Sequence, residues 1–391
     1  MSAVIGNFPA EHDGIAVAAI SARVMVESIA GSAGRVIALD LFGDRDTRAA
    51  AARWHCIGSA ARLTFDDEAL LQALGQLARD GEAAGWVAGS GFEARPDLIE
   101  RGAAILPLIG NAAEVVRQVR TPEWFYPWLG AQQVPHAEVS MVRPEPADGW
   151  LAKDALACGG WHVRPAVTAV GSGRTGRYFQ RRIEGMPMSV LFLADGRQGY
   201  IVGIARQIIR PLGGHAFVYR GVLGPVALAA EAWRTLQGML ERIVPGLGLT
   251  GLNGIDFILN GDTPVLIELN PRPTASLALF DACVRGGLMR AHVAVCGGAP
   301  IHALEFSARS GVCGSEVVFA RRAGCVDAAL ADWMDAQGWC HDLPAADTQH
   351  AYGDPVCSVS AGGARVEEVE QMLAARRRQV RSRLAAVASI A

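Results

Sequence analysis

The 391-residue sequence lacks the features that mark several classes of protein. It contains no uninterrupted run of about eighteen apolar residues, so no membrane span is predicted. Its N-terminus has no basic segment followed by an apolar core, so no secretory signal is predicted. None of the eight cysteines forms a C-x-x-C pair, which favours reduced thiols in a cytoplasmic protein over disulfides or zinc. The net charge of -3 gives no electrostatic case for a nucleic-acid partner.

The first predicted strand also lacks the glycine fingerprint that would follow it in a dinucleotide site, which disfavours a dinucleotide-dependent oxidoreductase. This strand, Ile15–Ile20, is nearly continuously apolar, as expected for a strand buried on both faces. A second strand is predicted at Arg35–Leu39, a helix at Glu68–Asp80 and a brief strand at Trp86–Ala88. Strands that alternate with helices predict an α/β fold with a parallel sheet over about residues 1–115.

Polar loops follow the predicted strands, at Asp40–Asp44 and Gly89–Glu93. In parallel sheets ligands gather at the carboxyl ends of the strands, where both loops would lie. Glu93 and Arg95 are charged residues of a loop, and such residues are more often solvated than bound to a ligand. We therefore expect these two side chains to face water.

The most informative stretch has the sequence GIDFILNGDTPVLIELNPRP and predicts a hairpin. Its strands are predicted at Ile255–Leu259 and Val265–Leu269. A loop at Gly261–Thr263 would place Asp256 directly opposite Glu268. Strict alternation along the second strand would put Glu268 and Asn270 on one face and Val265, Ile267 and Leu269 on the other. Two facing carboxylates repel each other unless a cation or a proton lies between them.

The hairpin therefore has two interpretations. Asp256, Glu268 and Asn270 offer only oxygen ligands, which suit a hard divalent ion such as Mg²⁺. Arg272, between two prolines, would then hold a phosphate or a carboxylate at the same edge. The alternative is an exposed amphipathic hairpin whose polar face meets water.

Two segments upstream of the hairpin have the composition of phosphate-binding loops. Lys153 ends a predicted strand and is followed by Gly159 and Gly160, whose N–H groups would point at phosphate oxygens. An exposed lysine near a glycine turn is nevertheless commonplace. The segment Gly171–Arg177 carries two arginines and would either close over a polyphosphate or form a solvated hairpin tip.

Two clusters of side chains favour a structural interpretation. The aromatic residues of 124–128 are expected to pack between domains. A C-terminal helix is predicted over Val366–Val387, and its five arginines are expected to form a solvated face that nearby glutamates balance. The five are Arg376, Arg377, Arg378, Arg381 and Arg383.

The G-x-D-F strand followed by E-x-N-P-R closely resembles the metal-binding signature of the ATP-grasp superfamily. The resemblance covers about residues 14–300, with the lysine and glycine loop in family order before the hairpin. It implies an ATP-grasp fold with an N-terminal pre-grasp Rossmann-like parallel sheet and a small C-terminal α+β extension. The domains it implies are a pre-grasp domain at 1–115, the ATP-grasp domain at 116–300 and the extension at 301–391.

The resemblance also implies roles for individual residues. Mg²⁺, which Mn²⁺ can replace in the family, would be held by Asp256, Glu268 and Asn270, while Lys153 would bind the nucleotide phosphates. Arg120 occupies the position where the family has a further phosphate-binding lysine. It would keep the charge of that lysine but bind the triphosphate with a different geometry. Arg272 would stabilise the transferring phosphoryl group. The segment that borders the adenine through its backbone is Gln180, Arg181, Arg182 and Ile183. Nearby polar residues implied at the ribose, the triphosphate and the substrate are Glu184, Arg206 and Gln207.

More narrowly, DLFGD at 40–44, GSGFE at 89–93 and PVCSV at 355–359 resemble predicted ATP-dependent carboligases of methanogens and methylotrophic bacteria. This implies a carboxylate–amine ligase that forms an acyl phosphate and releases ADP and phosphate. Glutamate and one-carbon cofactor synthesis are implied by analogy alone. The partners implied are small carboxylates and amines, without nucleic acid or membrane, and relatives are often dimers. The alternative is a sensor that binds MgATP without turnover.

Overall fold

The computed structural model describes residues 14–32, 34–169, 176–307 and 310–387. Most of the glycine-rich segment Gly171–Arg177 therefore lies outside the described residues. Within the described ranges, no helix combines the length and the apolarity needed to cross a membrane.

The N-terminal part is an α/β unit with a parallel sheet, as predicted. Its central sheet has the parallel strand order β3-β2-β1-β6, and every residue of β1 and β2 is buried. Asp66 caps α3 by accepting the backbone N–H of Ala69 (3.1 Å). The elements are β1 (Ile15–Ala18), α1 (Arg23–Gly31), β2 (Val36–Asp40), α2 (Arg45–Ala50), β3 (Arg53–Cys56), β4 (Gly58–Ser59), β5 (Thr64–Phe65), α3 (Asp67–Arg79), β6 (Gly85–Ala88) and α4 (Pro96–Ala103).

Two helices lead from this unit into a small antiparallel sheet of order β7-β10-β8-β9. The sheet places Lys153 of β8 opposite Tyr178 of β10. The elements are α5 (Ala113–Val119), α6 (Pro122–Ala131), β7 (Val139–Ser140), β8 (Trp150–Asp154), β9 (Arg164–Pro165) and β10 (Arg177–Arg181).

The largest element is an eight-stranded antiparallel sheet of order β15-β14-β11-β12-β13-β16-β20-β18. Apolar residues of α7 pack against one face of this sheet, and those of α1, α8 and α9 pack against the other. The elements of its first part are β11 (Met186–Asp195), β12 (Gly199–Ile209), β13 (Tyr219–Gly224), α7 (Ala230–Leu247), β14 (Thr250–Asn260), β15 (Thr263–Asn270), α8 (Leu277–Phe280) and α9 (Leu288–Cys296).

The C-terminal part continues the same sheet, because β16 pairs with β13 and then with β20. The final helix lies on β16 and β20, and its bounds match those predicted. The elements are β16 (Val312–Phe319), β17 (Gly324–Val326), α10 (Ala328–Asp335), β18 (Cys340–His341), β19 (Thr348–His350), β20 (Pro355–Gly363) and α11 (Val366–Val387). Domain boundaries at 115 and 300 stay predictions.

Candidate active site

The hairpin of β14 and β15 places Asp256 directly opposite Glu268, as predicted. We call these two residues the carboxylate pair. The route to this pairing differs from the prediction, because Asn260 pairs with Thr263 and the turn has two residues instead of three. A β-bulge at Ile267 adds the missing residue and restores the predicted register at the carboxylates.

The bulge also changes which side chains enter the core. Strict alternation was expected along β15, but its buried apolar residues are Pro264, Leu266 and Leu269, while Val265 and Ile267 are only partly buried. The carbonyl of Ile267 accepts hydrogen bonds from the Tyr126 hydroxyl (3.0 Å) and from Gln180 Nε2 (3.1 Å). The bulge therefore ties the hairpin to α6 and β10, which border the site.

Hydrogen bonds surround the carboxylate pair. Arg120 donates from Nη1 to Glu268 Oε1 (2.7 Å) and from Nη2 to Asn270 Oδ1 (3.0 Å). Asp256 accepts at Oδ1 from Gln207 Nε2 (2.8 Å) and at Oδ2 from Asn270 Nδ2 (3.3 Å). The three predicted metal ligands thus lie in one connected network. Arg120 is 8% exposed, and its positive charge offsets the negative charge of Glu268.

The surroundings push the pKa values of the carboxylate pair apart. Burial raises the pKa of Asp256, and the negative charge of Glu268 raises it further. Burial would also raise the pKa of Glu268, but the positive charges of Arg120 and Lys153 outweigh it and lower that pKa. A proton or a cation beside Asp256 would therefore be favoured.

Lys153 is the only lysine in the sequence, where every other basic side chain is an arginine. It is 7% exposed, and its Nζ donates to Gln180 Oε1 (3.1 Å). Gln180 in turn donates from Nε2 to the Tyr126 hydroxyl (3.0 Å). That the chain has one lysine among many arginines is visible in the sequence alone, whereas the burial of this lysine is visible only in the structure.

The loop after Lys153 is docked on the large sheet through its glycines. A Cβ at Gly160, where φ is +76°, would lie 2.0 Å from the carbonyl oxygen of Phe217, so no other residue fits there. The carbonyl of Gly159 accepts the backbone N–H of Tyr219 (3.0 Å). The loop also carries His162, whose Nδ1 is buried and has no partner in the described part of the chain. Both predicted glycines thus lie on the loop that adjoins the site.

Arg272 forms an ion pair that the sequence did not predict. Its Nε donates to Glu93 Oε1 (2.6 Å), and Glu93 also accepts the backbone N–H of Gly91 (2.7 Å). The expectation that Glu93 is solvated is wrong, because its side chain is 3% exposed. Burial would raise the pKa of Glu93, but the charges of Arg272 and Arg120 lower it. The pair joins the N-terminal sheet edge to the end of the hairpin.

The predicted adenine-bordering segment begins in β10 with the buried Gln180 and continues past the end of the strand at the surface. The backbone N–H of Arg181 donates to the carbonyl of Glu138 (2.8 Å), and that of Arg182 donates to the carbonyl of Gly149 (2.9 Å). Ile183 is half-buried, whereas the side chains of Arg181, Arg182 and Glu184 are exposed. None of these three side chains has a hydrogen bond to the carboxylate network among the described residues.

Arg206 and Gln207 are neighbours on β12 and therefore point to opposite faces of the sheet. Gln207 contacts Asp256, whereas the guanidinium of Arg206 pairs with Glu370 of α11. The structure thus separates Arg206 from the hairpin network. The predicted residues that it brings together are Arg120, Lys153, Gln180, Asp256, Glu268 and Asn270.

Residues 124–276 match the family model described as the ATP-grasp domain. The chain contains an ATP-grasp domain. Among curated relatives, the carbamoyl phosphate synthase large chain of Corynebacterium glutamicum is 23% identical over 268 residues, 62% of this chain and 24% of that protein. That of Deinococcus deserti is 26% identical over 140 residues, 36% of this chain and 13% of that protein. The chain thus spans a quarter or less of the length of these relatives.

Solved structures share the fold over almost the whole chain. The N5-carboxyaminoimidazole synthase of Aspergillus clavatus, in complex with ADP and 5-aminoimidazole ribonucleotide, has a TM-score of 0.68 at 14% identity and covers 95% of this chain and 99% of its own. The biotin carboxylase domain dimer of the Hydrogenobacter thermophilus 2-oxoglutarate carboxylase, with MgADP, ADP and bicarbonate, has a TM-score of 0.66 at 12% identity and covers 93% and 89%. The ATP-grasp fold therefore extends on both sides of the matched domain.

Proposed function

We propose that this protein is an ATP-dependent carboxylate–amine ligase that works through an acyl phosphate. One observation carries the proposal. The carboxylate pair and Asn270 lie in one network with Arg120, and Lys153 is close enough to lower the pKa of Glu268. Oxygen ligands beside buried cations are the arrangement that phosphoryl transfer from a metal-bound nucleotide needs.

The residues of the carboxylate pair fit a magnesium ion. Asp256, Glu268 and Asn270 supply only oxygen donors, and Mg²⁺ takes one or two carboxylates together with phosphates and waters. Arg120 donates hydrogen bonds to Glu268 Oε1 and Asn270 Oδ1. Glu268 Oε2 accepts no hydrogen bond from the described residues, so this oxygen is available to an ion. When bound, the ion would offset the negative charge of the phosphates during transfer.

The nucleotide would lie between the small sheet and the hairpin. Lys153 and Arg120 would bind its phosphates, and the backbone N–H groups of the Gly159–Gly160 loop would support them. The backbone of the segment from Gln180 to Ile183 would border the adenine, and Glu184 would accept from the ribose hydroxyls. Of the two neighbours on β12, Gln207 and not Arg206 would lie near the triphosphate, because Gln207 contacts Asp256 while Arg206 pairs with Glu370.

The reaction that this arrangement supports has two steps. A substrate carboxylate oxygen attacks the γ-phosphorus of ATP, the bond to the β-phosphate oxygen breaks, and ADP leaves. The amine nitrogen then attacks the acyl carbon, loses a proton, and inorganic phosphate leaves. Arg272 would stabilise the transferring phosphoryl group or the tetrahedral intermediate, and Glu93 fixes its guanidinium for this task.

The substrates are proposed only by class, as a small carboxylic acid and a small amine. Glutamate as the acid, and a place in one-carbon cofactor synthesis, follow from the narrower resemblance of the loops at 40–44 and 89–93. A homodimer, and domain boundaries at residues 115 and 300, complete the proposal. The biotin carboxylase domain of Hydrogenobacter thermophilus 2-oxoglutarate carboxylase forms a dimer, which supports the first of these.

A Mg²⁺-dependent screen for ADP release over pools of amino acids and amines tests the proposal. We expect ADP and phosphate to appear in equal amounts, and only when a pool contains both an acid and an amine that the site accepts. A protein that binds MgATP tightly but releases no ADP with any pool would favour the sensor instead. ADP release that does not depend on any added acid would contradict the ligase.

A further inference from the structure

Of the five arginines of the C-terminal helix that were predicted to be solvated, only Arg378 and Arg383 are exposed. Arg377 and Arg381 lie one turn apart on α11 and are partly buried. Arg377 donates to both carboxylate oxygens of Glu316 on β16, while its Nε is buried without a partner. Arg381 has buried Nε and Nη2 atoms, and neither has a hydrogen-bond partner in the described ranges.

A third arginine, on the sheet, lies near Arg377 and Arg381. Arg220 on β13 is 2% exposed, and its charge, like that of Arg377, helps to lower the pKa of Arg381, so the three guanidinium groups lie near one another. It donates one hydrogen bond from Nη2 to the carbonyl of Pro211 (2.6 Å), but its Nε is also buried without a partner. A guanidinium that is this deeply buried normally satisfies its donors, so the free Nε needs an explanation.

Charge is unbalanced at this place. We define the arginine cluster as Arg220, Arg321, Arg377 and Arg381. Among the described residues, Glu316 is the one carboxylate that bonds a member of the cluster. Burial, followed by the charges of Arg321, Arg377 and Arg220, lowers the pKa of Arg381 to about 10, so it is still protonated at neutral pH. Unpaired buried charges of one sign are costly unless a counter-ion joins them.

We propose that the arginine cluster is a binding site for an oxyanion such as inorganic phosphate, between α11 and the paired strands β13 and β16. The free Nε atoms of Arg220 and Arg377 and the two free nitrogens of Arg381 supply four buried donors. Guanidinium groups bind phosphate and carboxylate oxygens with charge-assisted hydrogen bonds. The site lies on the α11 side of the sheet, away from the carboxylate pair, and is independent of the proposed reaction.

Inorganic phosphate is the probe that tests this site. Thermal unfolding and calorimetric titration of the whole chain would compare phosphate with chloride at equal ionic strength. We expect the melting temperature to rise with phosphate and to saturate, as for a ligand that binds the folded state. Arg381→Gln is expected to weaken phosphate binding about tenfold or more, because it removes two donors and a charge. Arg321→Gln, at the exposed rim of the cluster, is expected to weaken binding less.

Two controls make the result decisive. Arg378→Gln removes an exposed arginine of the same helix and should leave phosphate binding unchanged. Lys153→Gln removes a proposed nucleotide ligand and should also leave it unchanged. Without phosphate, Arg381→Gln should melt no lower than Arg378→Gln, because it relieves repulsion. Loss of binding in Lys153→Gln but not in the cluster variants would overturn the site. An unsaturable rise shared by all the variants would overturn it equally.

Discussion

Replacing Glu268 by glutamine is expected to abolish ATP turnover, with a loss of about a hundredfold or more. Glutamine has the same shape and keeps an oxygen that can accept from Arg120, so the hairpin and its register should persist. It removes the negative charge that would share a cation with Asp256, directly across the strands. Turnover would be measured as ADP release with an active pool, and folding by circular dichroism.

A matched control for this change is Glu241→Gln on α7. Glu241 is exposed and has no hydrogen bond or ion pair in the described part of the chain, so its replacement should leave turnover unchanged. If Glu268→Gln keeps the turnover of the Glu241→Gln control, the carboxylate pair does not hold the metal.

Replacing Lys153 by alanine is expected to weaken MgATP binding by about tenfold to a hundredfold, because charge-assisted bonds to phosphate are lost. The Nζ atom already points into the site, where it bonds to Gln180. Equilibrium binding of MgATP measures the effect. Arg234→Ala, an exposed cation on α7, is the control and should bind like the unmodified chain.

The single lysine allows a second measurement of the same prediction on the unmodified protein. An amine-reactive acylating reagent can modify a lysine side chain only at position 153. MgATP is expected to protect the peptide that carries Lys153, as measured by mass spectrometry. Equal modification with and without MgATP, together with unchanged affinity in Lys153→Ala, would remove this residue from the nucleotide site.

The hairpin shows how much of the site could be predicted from the sequence pattern. Its residue types and spacing predicted the pairing of Asp256 with Glu268, which the register confirms. The turn was predicted one residue too long, and the bulge at Ile267 compensated for this. A bulge depends on what its free carbonyl can bind, and here the partners come from α6 and β10. Local patterns do not contain that information, so the alternation along β15 was wrong.

For the same reason, the local sequence pattern could not predict ion pairs between residues far apart in the chain. Glu93 lies 179 positions from Arg272, and only the packing of the N-terminal sheet edge against the hairpin joins them. Arg206 and Gln207 looked equivalent in the sequence, but the position of α11 gives Arg206 a partner on the other face. The burial of Arg377 and Arg381 likewise depends on how α11 lies on β16. Order and spacing predicted the fold, whereas tertiary packing decided these side-chain environments.

Activation of a carboxylate by phosphoryl transfer is the step on which the proposed function depends. It is tested most directly by following ¹⁸O from the carboxylate of the acid that triggers ADP release. An acyl phosphate would transfer one labelled oxygen to the inorganic phosphate, which ³¹P resonance detects as a shifted line. Phosphate without label, or label that appears in AMP with release of pyrophosphate, would contradict the acyl phosphate and with it the proposed ligase mechanism.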